Sequence, residues 1–201
     1  MLSSVESKLG YVLHTMLSRL KIKILGMVPN IIETMPLPVF LIYSRLIEPV
    51  PASNWIGPYL SSCVLALIST VFLIWKKRSL NRCFVGINVY FFVGCIGLLT
   101  RQDWLNSLMG ELEAAGMLAS IFVVGVYYTY FSASGFLGVS AVSPTKIRQY
   151  SLMMLVTAFV ALTVSFFSLG NMWMAEVIPF VSLFVIQGRL KSTLAKHINA
   201  G

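Results

Sequence analysis

The sequence predicts an all-α fold, a polytopic membrane helix bundle of about six transmembrane helices preceded by an N-terminal amphipathic helix at the membrane surface. Hydrophobic residues make up 57% of the 201 residues and charged residues 11%, and the mean hydropathy is +0.83, which lies outside the usual range of soluble domains. The apolar residues form runs long enough to cross a hydrocarbon core of about 30 Å. Short clusters of basic residues separate these runs, as is typical of membrane proteins.

Residues 1–23 are predicted to form the amphipathic helix. Leu9 and Leu13 belong to an apolar stripe at helical spacing, which Lys8 and Arg19 flank. A cleaved signal peptide is the competing interpretation, but charges are interleaved with the apolar residues and no cleavage site of small residues follows. We therefore expect the helix to be retained and to lie on an anionic lipid surface.

The first transmembrane helix is predicted over residues 24–46 and is the most unusual in composition. Pro36 and Pro38 lack a backbone N–H and would break or kink a helix, and Glu33 places an ionisable group one turn earlier. Such a segment is tolerated in a membrane where neighbouring helices or a water-lined cavity satisfy the freed polar groups. We predict a hinge at the two prolines. Two interpretations of Glu33 remain open, a functional cavity and a simple packing kink with the acid near the interface.

The rest of the predicted transmembrane domain, which covers residues 24–201, contains five further spans. Pro58 suits the first turn of the second span, the glycines of the third permit close helix approach, and Pro179 interrupts the sixth. The fifth contains a stripe of small residues suited to packing, namely Ala158, Ala161 and Ser165. The spans are predicted over residues 57–75, 83–100, 112–131, 151–169 and 172–188.

The distribution of charge predicts the orientation. With this layout, 13 of the 15 Lys and Arg residues lie on one side, which the positive-inside rule assigns to the cytoplasm. Both termini are therefore predicted to be cytoplasmic. The opposite side carries Arg45 and Arg101 together with the acids Glu48, Asp103, Glu111 and Glu113.

Four ionisable residues in or at the ends of the spans are the candidate binding residues: Glu33, Arg45, Arg101 and Glu176. Exposing such a charge to lipid costs at least a few kcal/mol, so each needs a partner or access to water. Arg45 and Arg101, with Glu48, Asp103 or Glu176, could form an outward-facing site for an anionic ligand. The alternative is that these side chains make structural ion pairs or reach the interface.

Several function classes are disfavoured by the sequence. It contains no HExxH, Gly-x-Ser-x-Gly or Walker motif, and Cys63, Cys83 and Cys95 lack the spacing of a metal site or disulfide framework. The net charge of +8 comes from clusters between apolar runs rather than from one soluble face, which argues against nucleic-acid binding. We expect no enzymatic activity, no cofactor and no metal.

The segment Met35-Pro-Leu-Pro-Val-Phe-Leu-Ile-Tyr-Ser-Arg-Leu46 resembles the start of the intracellular septation protein A family. The basic loop 76–82, the Gly97-Leu-Leu-Thr100 segment and the Gln187-Gly188 pair follow in a similar order, so the resemblance extends over residues 29–197. The chain departs from the pattern at Arg45 and Glu176 and in its N-terminal helix.

The resemblance implies a multi-pass protein of the bacterial inner membrane connected with cell division and envelope maintenance. We expect it to act without catalysis through helix-mediated contacts, with membrane lipids and either membrane-protein partners or a second copy as its binding partners. Two alternatives remain open: a small transporter or channel that uses the broken first helix, and a structural subunit of a larger membrane complex.

Overall fold

The computed structural model describes residues 28–46, 56–140 and 143–199, and within these ranges the regular elements are all helical. A helical stretch over residues 28–34 is interrupted at Met35 and is followed by six α-helices. A π-helical segment, Met172–Val177, runs directly into the last of them. The α-helices are α1 Pro36–Leu46, α2 Ile56–Trp75, α3 Arg82–Leu99, α4 Asp103–Phe131, α5 Pro144–Phe167 and α6 Ile178–Asn199.

Five of the described helical segments are long and apolar enough to cross a membrane, which indicates an integral, multi-pass membrane protein and confirms the predicted fold class. The first predicted span is represented by residues 28–34 and α1. The amphipathic helix predicted over residues 1–23 lies outside the described residues. The five apolar segments are Gly57–Trp75, Arg82–Leu99, Ala114–Phe131, Pro144–Phe167 and Met172–Lys196.

Consecutive helices pack against one another from α1 to α6, and the contact between α3 and α4 is the most extensive. Gly86 makes this approach possible: a Cβ atom on Gly86 would lie 2.5 Å from the Cα atom of Ile121, too close for any side chain. The small residues predicted to pack on α5 are all buried, namely Ala158, Ala161 and Ser165.

An aromatic cluster joins the first three helices. The hydroxyl groups of Tyr59 on α2 and Tyr90 on α3 are 2.7 Å apart, and the ring of Phe40 on α1 contacts both tyrosine rings. Phe40 also lies 5.1 Å, between ring centroids, from Phe91. Buried tyrosines need a partner for the hydroxyl group, and here each one supplies it for the other.

Several predicted helix ends are wrong. The segment between the third and fourth predicted spans is largely helical, since α4 already begins at Asp103. The negative charge of Asp103 lies in the first turn of α4, where the helix dipole stabilises it. The fifth helix begins at Pro144 instead of residue 151, since proline fits the first turn of a helix. The sixth continues past Gly188 to Asn199.

Pro179 is accommodated at the second position of α6, directly after the π-helical segment. Proline lacks the N–H that would bond to the carbonyl four residues earlier. The preceding turn is wider, and the N–H of Ile178 bonds to the carbonyl of Trp173, five residues back. At Pro179, where an interruption is predicted, the chain therefore changes from π-helical to α-helical hydrogen bonding.

Candidate functional site

A polar cavity of about 360 Å³ opens at the end of the bundle that carries Arg78, Arg82 and Lys191, which we call the basic end. Its wall is formed by the helical stretch 28–34, the last turn of α2, the connection between α2 and α3, the first turn of α3, the turn after α4, and the C-terminal half of α6. Its volume is that of a small-molecule site. The lining residues are Pro29, Asn30, Glu33, Thr34, Leu73, Arg78, Ser79, Leu80, Asn81, Phe84, Leu137, Gly138 and Lys191.

Among the described residues of this lining, Glu33 is the one acid, and its side chain is only 9% exposed. Its Oε1 atom accepts a hydrogen bond from the backbone N–H of Asn81, the residue that caps the start of α3. The start of a helix carries a partial positive charge, so a carboxylate is stabilised there. The contact ties residues 28–34 to α3, 48 positions later in the chain.

The side chains of Asn81 and Gln187 hold α3 against α6 beside the cavity. Gln187 Nε2 donates to Asn81 Oδ1 at 2.8 Å, and Asn81 Nδ2 donates back to Gln187 Oε1 at 3.1 Å. Asn81 Oδ1 also accepts from the N–H of Cys83, which completes the helix cap. This network uses the polar atoms of both amides, so it forms a fixed wall beside Glu33.

Two basic side chains complete the lining. Lys191 lies one turn after Gln187 on the same face of α6, and Arg78 comes from the connection that precedes α3. Lys191 and Glu33 both line this cavity, so the two side chains border the same space. The cavity thus combines two cations and one carboxylate with hydroxyl and amide groups, and it can bind a small anionic group.

Arg82, in the first turn of α3, lies next to the cavity lining but is not part of it. Its guanidinium group lies over the ring of Tyr128, 4.4 Å from the centroid, and donates from Nη2 to the hydroxyl groups of Ser132 and Ser134. Its Nη1 atom is buried and has no hydrogen-bond partner within the described ranges. Arg82 therefore fixes the turn after α4, which supplies Gly138 to the cavity.

The predicted site residues that the structure describes lie in different places. Glu176 lines a separate, mostly apolar cavity of about 510 Å³ with α1 residues, and Arg101 is exposed in the connection between α3 and α4. Neither lines the polar cavity around Glu33. The side chain of Arg45 and all of Glu48 lie outside the described residues, so the outward anionic site stays a prediction.

The predicted hinge residues both follow the observed interruption at Met35. Pro36 is buried and begins α1, while Pro38 is exposed two residues later. The chain keeps helical hydrogen bonds around them, from Met35 N–H to the carbonyl of Ile31 and from Val39 N–H to that of Met35. The carbonyls of Ile32 and Thr34 lose their usual donors because Pro36 and Pro38 have none.

Sequence reasoning missed the roles of Asn81, Arg82, Gln187 and Lys191. Two signals were available: Asn81 directly precedes an apolar helix, as a cap does, and Gln187 and Lys191 are four residues apart. The basic clusters between the apolar runs predict topology alone. On α4, Tyr127 and Tyr130 are exposed, whereas the ring of Tyr128 supports Arg82.

The described residues include no cluster of three or more His, Cys, Asp or Glu side chains suited to a metal ion. Cys63, Cys83 and Cys95 are free and buried. The sequence matches no family model, no curated protein and no solved structure. The fold and the site together define an α-helical, multi-pass membrane protein with a polar cavity at its basic end.

Proposed function

We propose that this protein is a non-enzymatic multi-pass protein of the bacterial inner membrane that binds a small anionic ligand, with a phosphate or carboxylate group, in the polar cavity at its basic end. The observation that carries the proposal is that Arg78 and Lys191 line one cavity with Glu33, beside a fixed amide network. Arg and Lys are the side chains that bind phosphate and carboxylate groups most strongly.

The positive-inside rule supports a cytoplasmic location for the basic end and for both termini. Cations of the α2–α3 connection and of the last turns of α6 lie together there. A ligand would therefore enter from the cytoplasm or from the headgroup region of the inner leaflet. The anionic group itself does not distinguish a free metabolite from a lipid headgroup.

Transport is the mode of action that the helix break favours. Glu33 lies two residues before the interruption at Met35, and it bonds to the start of α3. A change in that contact would let residues 28–34 shift relative to α1, because Pro36 and Pro38 leave the carbonyls of Ile32 and Thr34 without their helical donors. Broken helices that line a cavity are a recurrent device of transporters.

The resemblance to the septation family supports a different mode, in which the protein contacts partners or a second copy through its helices. Isolation in mild detergent separates the two modes. Stoichiometric partner proteins would support helix-mediated contacts, whereas an oligomer without partners that carries bound lipid would support ligand binding or transport.

Thermal unfolding of the purified full-length protein in mild detergent tests ligand binding. We expect inorganic phosphate and glycerol 3-phosphate to raise the unfolding temperature, because a ligand at about 100 times its Kd stabilises the folded state by about 2.7 kcal/mol. Glycerol, which lacks the anion, should have no effect at the same concentration. Equal shifts with all three compounds, or no shift with any anion, would refute the proposal.

A second experiment distinguishes a free anionic metabolite from a lipid headgroup as the ligand. The protein is placed in nanodiscs of phosphatidylcholine with and without phosphatidylglycerol, and bound lipid is measured by native mass spectrometry. Retention of phosphatidylglycerol that free glycerol 3-phosphate does not displace would identify the headgroup as the ligand.

A further inference from the structure

The polar cavity is lined by one negatively and two positively charged side chains, which indicates more about its ligand than a negative charge alone. Glu33 comes from the helical stretch 28–34, whereas Arg78 and Lys191 come from the α2–α3 connection and from α6. The carboxylate and the cations therefore reach the cavity from different segments. A ligand that carries only negative groups would pair with the cations and leave the Glu33 carboxylate with the N–H of Asn81 as its hydrogen-bond partner.

Glu33 is held in place with spare hydrogen-bonding capacity. The backbone N–H of Asn81 bonds to Oε1, and an ionised carboxylate has about four acceptor sites on its two oxygens. The side chain is largely buried yet forms part of the cavity wall. A ligand ammonium group is the complement that would satisfy it, since charge-assisted hydrogen bonds to a carboxylate are among the strongest available.

Resting on the proposed function, we propose that the ligand is a small zwitterion, a molecule that carries a primary ammonium group together with a phosphate or carboxylate group. Glu33 binds the ammonium group, and Lys191 and Arg78 bind the anionic group. Asn30, Thr34 and Ser79 add neutral polar groups to the same lining. The volume of about 360 Å³ fits a molecule of this size or the headgroup of an aminophospholipid.

A matched pair of probes tests this inference: O-phosphoethanolamine, which has an ammonium group and a phosphate, and glycerol 3-phosphate, which has only the phosphate. Both are titrated into the full-length protein in detergent by isothermal calorimetry. We expect O-phosphoethanolamine to bind about tenfold more tightly, as one additional charge-assisted hydrogen bond allows. Glu33→Gln should abolish this preference and leave the affinity for glycerol 3-phosphate unchanged or higher.

Glu111→Gln is the matched control, because Glu111 is an exposed acid on α4 and does not line the cavity. It should keep the full preference for O-phosphoethanolamine. If the two probes bind wild type equally, or if Glu33→Gln retains the preference, the zwitterion inference is wrong while anion binding stands. If neither probe binds, anion binding itself fails.

Nanodiscs distinguish a soluble zwitterion from a lipid headgroup. We expect phosphatidylethanolamine to be retained over phosphatidylglycerol in native mass spectra if the ligand is a lipid, and the retention to disappear in Glu33→Gln. Binding of soluble O-phosphoethanolamine without any lipid preference would assign a soluble zwitterion. Preferential retention of phosphatidylglycerol by wild type would contradict the inference.

Discussion

Asn81 and Gln187, 106 positions apart in the chain, exchange two side-chain hydrogen bonds and thereby join the start of α3 to α6. Gln187 is 4% exposed, and its Nε2 atom also lies 3.1 Å from the sulfur of Cys83. The pair fixes the distance between Glu33, which bonds to Asn81, and Lys191, which lies one turn beyond Gln187.

Replacing Gln187 with alanine should lower the free energy of unfolding by about 1–3 kcal/mol, because it leaves the Nδ2 group of Asn81 without its partner in a partly buried place. Asn81→Ala should cost a similar amount and also removes the cap of α3. The double variant should lose less than the sum of the two. Detergent unfolding curves of the four proteins give the coupling free energy, and a value near zero would show that the pair is not a unit.

Glu33→Gln should unfold close to wild type, since an amide oxygen still accepts from the N–H of Asn81 and the side chain keeps its size. Glu33→Leu should lose about 1–3 kcal/mol because the N–H of Asn81 loses its acceptor. Detergent unfolding separates these outcomes. A Glu33→Leu protein as stable as wild type would mean that the contact does not hold residues 28–34 to α3.

Gly86→Ala should destabilise the protein by about 1–3 kcal/mol, because the new methyl group would overlap the backbone of Ile121 and push α3 from α4. Gly110→Ala is the matched control on α4, where a Cβ atom would meet nothing within 4 Å. It should be neutral or stabilising by up to about 1 kcal/mol, as alanine favours helix over glycine. Similar losses in both variants would contradict the close packing at Gly86.

Cysteine labelling tests the orientation. Cys63, Cys83 and Cys95 are buried, so wild type provides the background signal. A cysteine at Ser107, which is exposed near the start of α4, should react with an impermeant maleimide on intact cells. One at Thr145, exposed at the start of α5, should react only after permeabilisation. The opposite pattern would invert the layout and place the polar cavity outside the cytoplasm.

The sequence allowed the fold class and most of the helices to be predicted, because apolar runs and basic clusters are local signals. Helix starts at Asp103 and Pro144 were placed too late, since polar first turns resemble loops when hydropathy alone is considered. Glu33 was identified as a candidate from its position beside the prolines. Its surroundings could not be, because Asn81, which bonds to Glu33, and Lys191, which lines the same cavity, lie far from Glu33 in the chain.

The predicted spans already separate Glu33, within the first, from Glu176, at the outer start of the sixth. Both are acids within apolar segments, and the chain alone does not say which cavity each one lines. The polar cavity forms only when the stretch 28–34, the α2–α3 connection and α6 meet, and that depends on how the helices pack.

Calorimetric titration of glycerol 3-phosphate into wild type, Lys191→Gln and Lys196→Gln tests the central claim of an anion site most directly. Lys196 is the matched control because it is an exposed lysine on the same helix and does not line the cavity. We expect wild type and Lys196→Gln to bind equally and Lys191→Gln to bind about tenfold more weakly, because a charge-assisted contact is lost. Equal weakening in both variants, or binding unaffected by Lys191→Gln, would contradict the assignment of the cavity as the anion site.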